Sequence, residues 1–131
     1  MLYPTAMGKH RRLAEDVNVA ISTFDHLVTG TVPDSLDALT KARVVLVQNV
    51  NAYISYFGTK VRPNPATESE VRWKQAYTQV FELRRNYSEH ITRFGSATIR
   101  TEWPLYQASC QTLVNAMRDH IRRVSAWDPI D

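Results

Sequence analysis

Apolar residues recur at helical spacing along most of the chain, and this periodicity limits the fold more than any other feature. Between positions 13 and 27 they lie four, three, four and three residues apart. They are Leu13, Val17, Ala20, Phe24 and Leu27. This spacing places them along one side of a helix, where they can pack on other helices. Because no segment alternates polar and apolar residues over the length of a strand, the sequence predicts an all-α fold.

Glycine- and proline-containing segments divide the chain into four predicted helices. Gly30 follows the first helix, the linker GTKVRPNPATES follows the second, and Gly95 ends the third. Thr67 and Glu70 have the spacing of a capping box at the start of the third helix. The predicted helices cover residues 8–28, 35–57, 68–94 and 102–125, with an N-terminal arm at 1–7 and a polar tail at 126–131.

The length of 131 residues is that of one domain, spanning residues 1–131. Because the connections between successive helices are short or moderate, neighbours are expected to be antiparallel. The predicted architecture is an antiparallel four-helix bundle with a short N-terminal arm. The second helix is apolar around much of its circumference over RVVLVQNVNAYISYF, which indicates a central position or a partner subunit. No apolar run approaches the roughly 20 residues that a membrane helix needs, so we predict no membrane span.

The net charge is +3, and arginine outnumbers lysine by 12 to 4. Arginine presents a planar fork of donors that suits phosphate and carboxylate, which indicates phosphate contacts or buried ion pairs. Antiparallel packing brings the starts of the first and third helices beside the ends of the second and fourth. It therefore gathers basic residues at one end of the bundle, which we call the basic end. Its predicted members are Lys9, Arg11, Arg12, Lys60, Arg62, Arg72, Lys74, Arg118, Arg122 and Arg123.

Acidic residues also reach the basic end, but they are fewer, so its net charge is expected to be positive. They are Glu15, Asp16, Glu68, Glu70 and Asp119. A clustered basic surface is typical of proteins that bind nucleic acid, because each neutralised phosphate releases counterions. The alternative is a solvated end in which these charges form salt bridges with one another.

The stretch RRNYSEH, residues 84–90, resembles the pattern of HEPN ribonucleases, small helical bundles in which an arginine and a polar residue precede a histidine. Arg85, Asn86 and His90 occupy those places, and the resemblance implies that they cleave RNA without a metal. In an unbroken helix the five-residue step turns by about 500° and leaves the two side chains about 140° apart. Convergence would then need a dimer or a distorted helix. Arg84, in line with Val80 and Tyr87, is expected to need a carboxylate or phosphate partner.

The histidines do not form a predicted metal site. His10 and His120 fall at the basic end and His26 and His90 at the other, but no carboxylate lies three or four residues from any of them. Cys110 stands on an apolar stripe and is expected in the core. We expect no cofactor, and the absence of a nucleophile elbow or phosphate-binding glycine loop makes an enzyme the less favoured hypothesis.

A small, basic, arginine-rich and all-helical chain with an apolar N-terminal arm resembles the major coat proteins of filamentous archaeal viruses, the rudivirus, lipothrixvirus and tristromavirus group. The resemblance lies in size, class and charge over the whole chain. In that family, paired helical subunits wrap double-stranded DNA and stack into a helical virion. It implies a non-enzymatic coat subunit in the virion that contacts the DNA backbone, without reading sequence, and assembles with an identical or second subunit.

Under the coat hypothesis, the predicted DNA contacts are the residues of the basic end together with Arg84 and Arg85. The HEPN-type ribonuclease is the alternative, and a protein-binding helical bundle is the second alternative. Either alternative would place the protein in the cytoplasm.

Overall fold

The computed structural model describes residues 3–127, with side chains from Gly8 onwards. Every regular element in that range is helical, which confirms the predicted all-α class. The elements are α1 (Tyr3–Leu27), α2 (Asp37–Lys60), α3 (Glu68–Arg93), α4 (Ser96–Thr101) and α5 (Trp103–Ser125).

The four long helices form a closed ring in which α1 and α3 each pack on α2 and α5, and the short α4 packs on α5. Side-chain contacts show which ends meet. A guanidinium nitrogen of Arg11 donates to the Ser125 carbonyl at 3.0 Å, so the start of α1 lies beside the end of α5. The Trp103 indole donates to the Gly30 carbonyl at 2.8 Å, which joins the other ends of the same two helices. The rings of Phe57 and Trp73 lie 5.7 Å apart and join the end of α2 to the start of α3.

Helical backbone already begins within the predicted N-terminal arm, since α1 starts at Tyr3 rather than near residue 8. Gly8 has φ 72° and ψ 160°, so the helix is interrupted there by a kink. Only glycine adopts this positive φ without steric cost, because any side chain would crowd the following carbonyl. Residues 1 and 2 of the predicted arm lie outside the described residues.

The second helix continues to Lys60 instead of ending at Phe57. Gly58 remains helical, and a Cβ atom built on it would lie 2.5 Å from the Tyr77 hydroxyl oxygen. The glycine therefore permits a close approach of α3 instead of terminating α2. A glycine at the start of the linker predicts a helix end at Phe57, because glycines that end helices and glycines that allow close packing cannot be distinguished in the sequence.

The segment before the predicted fourth helix contains an additional short helix, α4. Its Ile99 is buried in the core, which gives this turn of helix a packing role. Glu102 leaves helical geometry at φ −122° and ψ 42°, and α5 starts immediately afterwards with Pro104 in its first turn. A proline is tolerated there because first-turn amides have no intrahelical acceptor.

The described part of the predicted polar tail docks on the bundle. Trp127 is half-buried, and its ring packs edge-on against Trp73 at 5.0 Å. Residues 128–131 lie outside the described part of the chain. Part of the tail is therefore held by the basic end of its own bundle.

Helix α2 has apolar residues on two sides, as its composition indicated. Leu39, Leu46 and Phe57 are buried in the core, whereas Val44 and Val45 stay 51% and 47% exposed. Burial inside the monomer explains only one of these sides. The outer side is exposed.

The N-terminus of α3 has the capping box that the spacing of Thr67 and Glu70 predicts. The Thr67 hydroxyl accepts a hydrogen bond from the Glu70 amide at 3.1 Å, while the Glu70 carboxylate accepts one from the Ala66 amide at 2.8 Å.

We expect Thr67→Ala to lower the free energy of unfolding by about 1 kcal/mol, because the cap is lost. Urea unfolding of Thr78→Ala is the matched control, since Thr78 is exposed in the middle of the same helix. Equal losses in both variants would contradict the capping role.

Candidate functional site

The basic end begins where α1 and α2 meet. The Lys9 and Lys60 ammonium groups lie 5.0 and 5.4 Å from the centre of the Tyr56 ring. The first of these residues stands near the start of α1 and the second at the end of α2. The prediction that these two helix ends share their basic residues therefore agrees with the geometry.

A second group of basic residues surrounds Trp127, where α1, α3 and the end of α5 meet. The Arg72 guanidinium lies over the Trp127 ring at 4.8 Å. Arg11 donates to the carbonyls of Ser125 and Trp127 at 3.0 and 3.4 Å. These partners are neutral, so they orient the guanidinium groups without cancelling their charge.

Few of these charges are neutralised by salt bridges. Arg62 pairs with Glu70 at 2.9 Å, and Asp119 is shared by Arg122 and Arg123. Five other basic residues at this end have no carboxylate of the described chain within ion-pair distance. They are Arg11, Arg12, Lys60, Arg72 and Lys74. Internal salt bridges thus account for a minority of the positive charge.

Arg118 does not share the surroundings predicted for it. Its guanidinium pairs with Asp25 at 3.2 Å and contacts the Ser22 hydroxyl at 3.4 Å. Asp25 lies in the last turns of α1, so Arg118 reaches away from the basic end. The prediction that Arg118 belongs to that cluster is therefore wrong: its long side chain carries the charge several ångströms along the bundle.

Arg84 meets a neutral environment instead of the expected anionic partner. One guanidinium nitrogen lies 3.4 Å from the Asn51 amide oxygen, and the guanidinium stacks on Phe81 at 4.9 Å. Arg85, one residue further on, is exposed. Among the described residues neither arginine forms a salt bridge.

The three residues of the HEPN-like pattern do not form a common site within this chain. His90 is buried, and its Nδ1 lies 2.6 Å from the Ser109 hydroxyl oxygen. Its ring also stacks on Tyr106 at a centroid distance of 5.1 Å. Arg85 and Asn86 face solvent. The five-residue spacing places Arg85 and His90 on different sides of α3. His90 therefore lies in the core, whereas Arg85 lies at the surface.

A buried hydrogen-bond chain, which sequence reasoning did not find, links the basic end to the core. Arg123 donates to the Gln79 side-chain oxygen at 2.6 Å, and the same oxygen lies 3.2 Å from His120 Nδ1. The other ring nitrogen, Nε2, lies 3.0 Å from the Tyr53 hydroxyl. A neutral imidazole with its proton on Nδ1 satisfies both contacts. The participants come from three helices, so no local sequence pattern marks them.

Burial controls the ionisation of two of the three core histidines, His90 and His120. Desolvation lowers the pKa of His120 to about 4, and the Arg123 charge acts in the same direction. Desolvation likewise lowers the pKa of His90 to about 4, with contributions from Arg43 and Arg93. Both imidazoles are therefore neutral at pH 7.

The described side chains contain no cluster of three or more His, Cys, Asp or Glu residues with the geometry to hold a metal ion. None of the described helices combines the length and apolar character required to cross a membrane.

Comparison of the sequence and the structure with known proteins shows no family for this chain. The sequence matches no protein-family model, and neither the curated proteins nor the solved structures include a significant match. The resemblance to filamentous-virus coat proteins accordingly rests on size, helical class and charge.

Burial of His90 and His120 predicts a pH dependence of stability. Their pKa is near 6.5 when unfolded and about 4 when folded, so the stabilisation is present above pH 6.5 and is lost as the pH falls towards 4. Each histidine should contribute a slope of up to about 1.4 kcal/mol per pH unit in this window. Urea unfolding between pH 4 and 7 measures it. His120→Gln should lower the slope by about one proton, whereas exposed His26→Gln should not. A flat profile would contradict burial of neutral imidazoles.

Proposed function

We propose that this chain is a structural nucleic-acid-packaging protein, a coat subunit that binds the backbone of double-stranded DNA and assembles into a helical filament. The observation that carries the proposal is the basic end, where five basic residues lack a carboxylate partner among the described residues. An uncompensated cluster of this kind attracts a polyanion, and the release of condensed counterions drives its binding.

The form of the basic end favours contacts with phosphate. The Arg72 guanidinium lies over the Trp127 ring and the Lys60 ammonium lies over the Tyr56 ring, so aromatic rings hold these charged groups in place. Guanidinium forks match the geometry of phosphate oxygens. Contacts limited to phosphate position a duplex without reading its sequence. Such indifference to sequence is what packaging requires.

A separate apolar surface supports the assembly part of the proposal. Val19 of α1 is 66% exposed and Val45 of α2 is 47% exposed, and both line an open groove between these helices. Ala20, Ala38 and Ala42 also line this groove, and Asp16, Lys41 and Asn49 are its longer polar residues. Exposed apolar surface of this kind is typical of protein contacts. We place the subunit interface of the filament there, away from the basic end.

Removal of two basic-end charges should weaken duplex binding more than removal of the same charges elsewhere. For the double variant Arg12→Gln/Lys60→Gln, we expect a loss of affinity and a salt dependence shallower by about two, because roughly 0.9 counterions are released per phosphate contact. Fluorescence anisotropy with two duplexes of unrelated sequence, over a series of salt concentrations, measures both quantities. The two duplexes should bind equally well.

The matched control for this experiment is Lys41→Gln/Arg93→Gln, which removes one lysine and one arginine, both exposed, near the opposite end of the bundle. Because Lys41 also lines the groove between α1 and α2, the duplexes are kept too short for more than one subunit to bind. It should leave the salt dependence unchanged. If the two double variants lose affinity equally, overall charge rather than the basic end controls binding, and the proposed site is wrong. Absence of duplex binding by the unmodified protein at low salt would reject the proposed function itself.

Assembly should depend on the groove between α1 and α2. We expect Val19→Asn/Val45→Asn to abolish filaments seen by electron microscopy with long DNA, while affinity for a short duplex changes less than about two-fold, because no charge is added. Leu105→Asn, at another exposed apolar position, is the control and should still form filaments. Filaments formed by the double variant would exclude this groove as the interface.

The ribonuclease alternative is less favoured by the geometry, because His90 is bonded inside the core and Arg85 faces solvent. The protein-binding alternative shares the groove but does not account for the charge at the basic end.

A further inference from the structure

The groove between α1 and α2 carries one negative and one positive side chain. Asp16 of α1 and Lys41 of α2 both line it, and both are exposed. Among the described residues neither of them forms a salt bridge. The groove therefore contains a carboxylate and an ammonium group that no ion pair of the described chain neutralises.

The antiparallel order of α1 and α2 separates these two charges along the groove. His10, near the start of α1, packs on Phe57, near the end of α2, with ring centroids 4.7 Å apart. Each step forward along α1 from this contact matches a step back along α2, so Asp16 lies within about a turn of Asn49. Lys41 stands eight residues before Asn49 on α2, which is about 12 Å of helix. The carboxylate and the ammonium group thus occupy opposite ends of the groove.

The exposed valines of the groove lie midway between the two charges. Val19 follows Asp16 by one turn of α1, and Val45 follows Lys41 by one turn of α2. Residues three or four positions apart share one face of a helix. The groove therefore has an apolar middle, with the negative charge about one turn away on one side and the positive charge about one turn away on the other.

This pattern is complementary to a second copy of itself that points in the opposite direction. A two-fold axis that runs across the grooves, at the level of the valines, reverses one groove relative to the other. Valines then meet valines, and the Asp16 end of each copy lies against the Lys41 end of its partner. Grooves that point in the same direction would instead bring like charges to the same level, which costs free energy.

We propose that two copies of this chain form a two-fold symmetric dimer through the groove between α1 and α2, in which Asp16 of each copy pairs with the partner's Lys41. Lysine has a flexible four-carbon side chain, so its ammonium group reaches the carboxylate across the width of the groove. The proposal rests on the assembly part of the proposed function, because it takes the same groove as the subunit interface. It adds that the partner is an identical chain in antiparallel orientation and that the dimer forms without DNA.

Charge reversal tests the pairing, because a two-fold contact contains it twice. By size-exclusion chromatography with light scattering, over a series of concentrations and without DNA, we expect the unmodified chain to be a dimer. Asp16→Lys and Lys41→Asp should each weaken dimerisation roughly ten-fold or more, since two attractive pairs become two repulsive pairs. An equimolar mixture of the two variants should regain the dimer, because each chain supplies the charges that the other lacks.

Glu15→Lys is the matched control for Asp16→Lys. It makes the same change of charge at the adjacent exposed residue, which does not line the groove, and it should dimerise normally. Helical circular dichroism checks that each variant is folded. Equal losses in Glu15→Lys and Asp16→Lys would overturn the proposal, because net charge would then explain them.

Two further outcomes would also overturn the dimer. One is a monomeric unmodified chain at every concentration, and the other is a mixture of the reversed variants that stays monomeric. Duplex binding is measured separately by anisotropy. A dimer that does not bind duplex at low salt rejects the proposed function and leaves the dimer in place, whereas a monomer that binds duplex rejects the dimer alone.

Discussion

The arrangement of the bundle depends on a buried aromatic cluster that joins all four long helices at one end. His10 comes from α1, Tyr53 and Phe57 from α2, Trp73 from α3 and His120 from α5. Their ring centroids lie between 4.7 and 6.3 Å apart in edge-on and tilted contacts. Aromatic pairs at these distances favour specific geometries. The cluster therefore determines which helix ends meet and how each helix is rotated about its own axis. The basic end exists because this cluster holds four helix termini together.

The same cluster explains why the charges around it stay unpaired. Rings fill the interior of the basic end, and the hydrogen-bond chain Arg123–Gln79–His120–Tyr53 that enters it uses neutral groups within the core. Charged side chains are thereby confined to the periphery, where Arg72 and Lys60 rest on aromatic faces. Basic side chains that surround a buried aromatic cluster direct their N–H donors towards solvent. The proposed phosphate contacts require this arrangement.

A second aromatic cluster lies at the opposite end, where His90, Phe94, Trp103 and Tyr106 stack and tilt against one another. Bulky rings thus fill both ends of the bundle, while aliphatic side chains such as Leu46 and Val114 line the middle. Closely packed interiors leave few voids, and those that form occur where side chains are too small to span the gap. A cavity of about 60 Å³ in the middle of the bundle, beside Arg84, follows from this distribution.

The sequence by itself determined the helical class, most helix limits and the capping of α3 by Thr67, because these depend on spacing and short-range hydrogen bonds. It also predicted a basic end, on the expectation that short connections make successive helices antiparallel. Only the tertiary structure decided the role of Gly58, the helix α4, the burial of His90 and the reach of Arg118. Each of these depends on which side chains of distant segments share a space, and linear periodicity carries no information about such contacts.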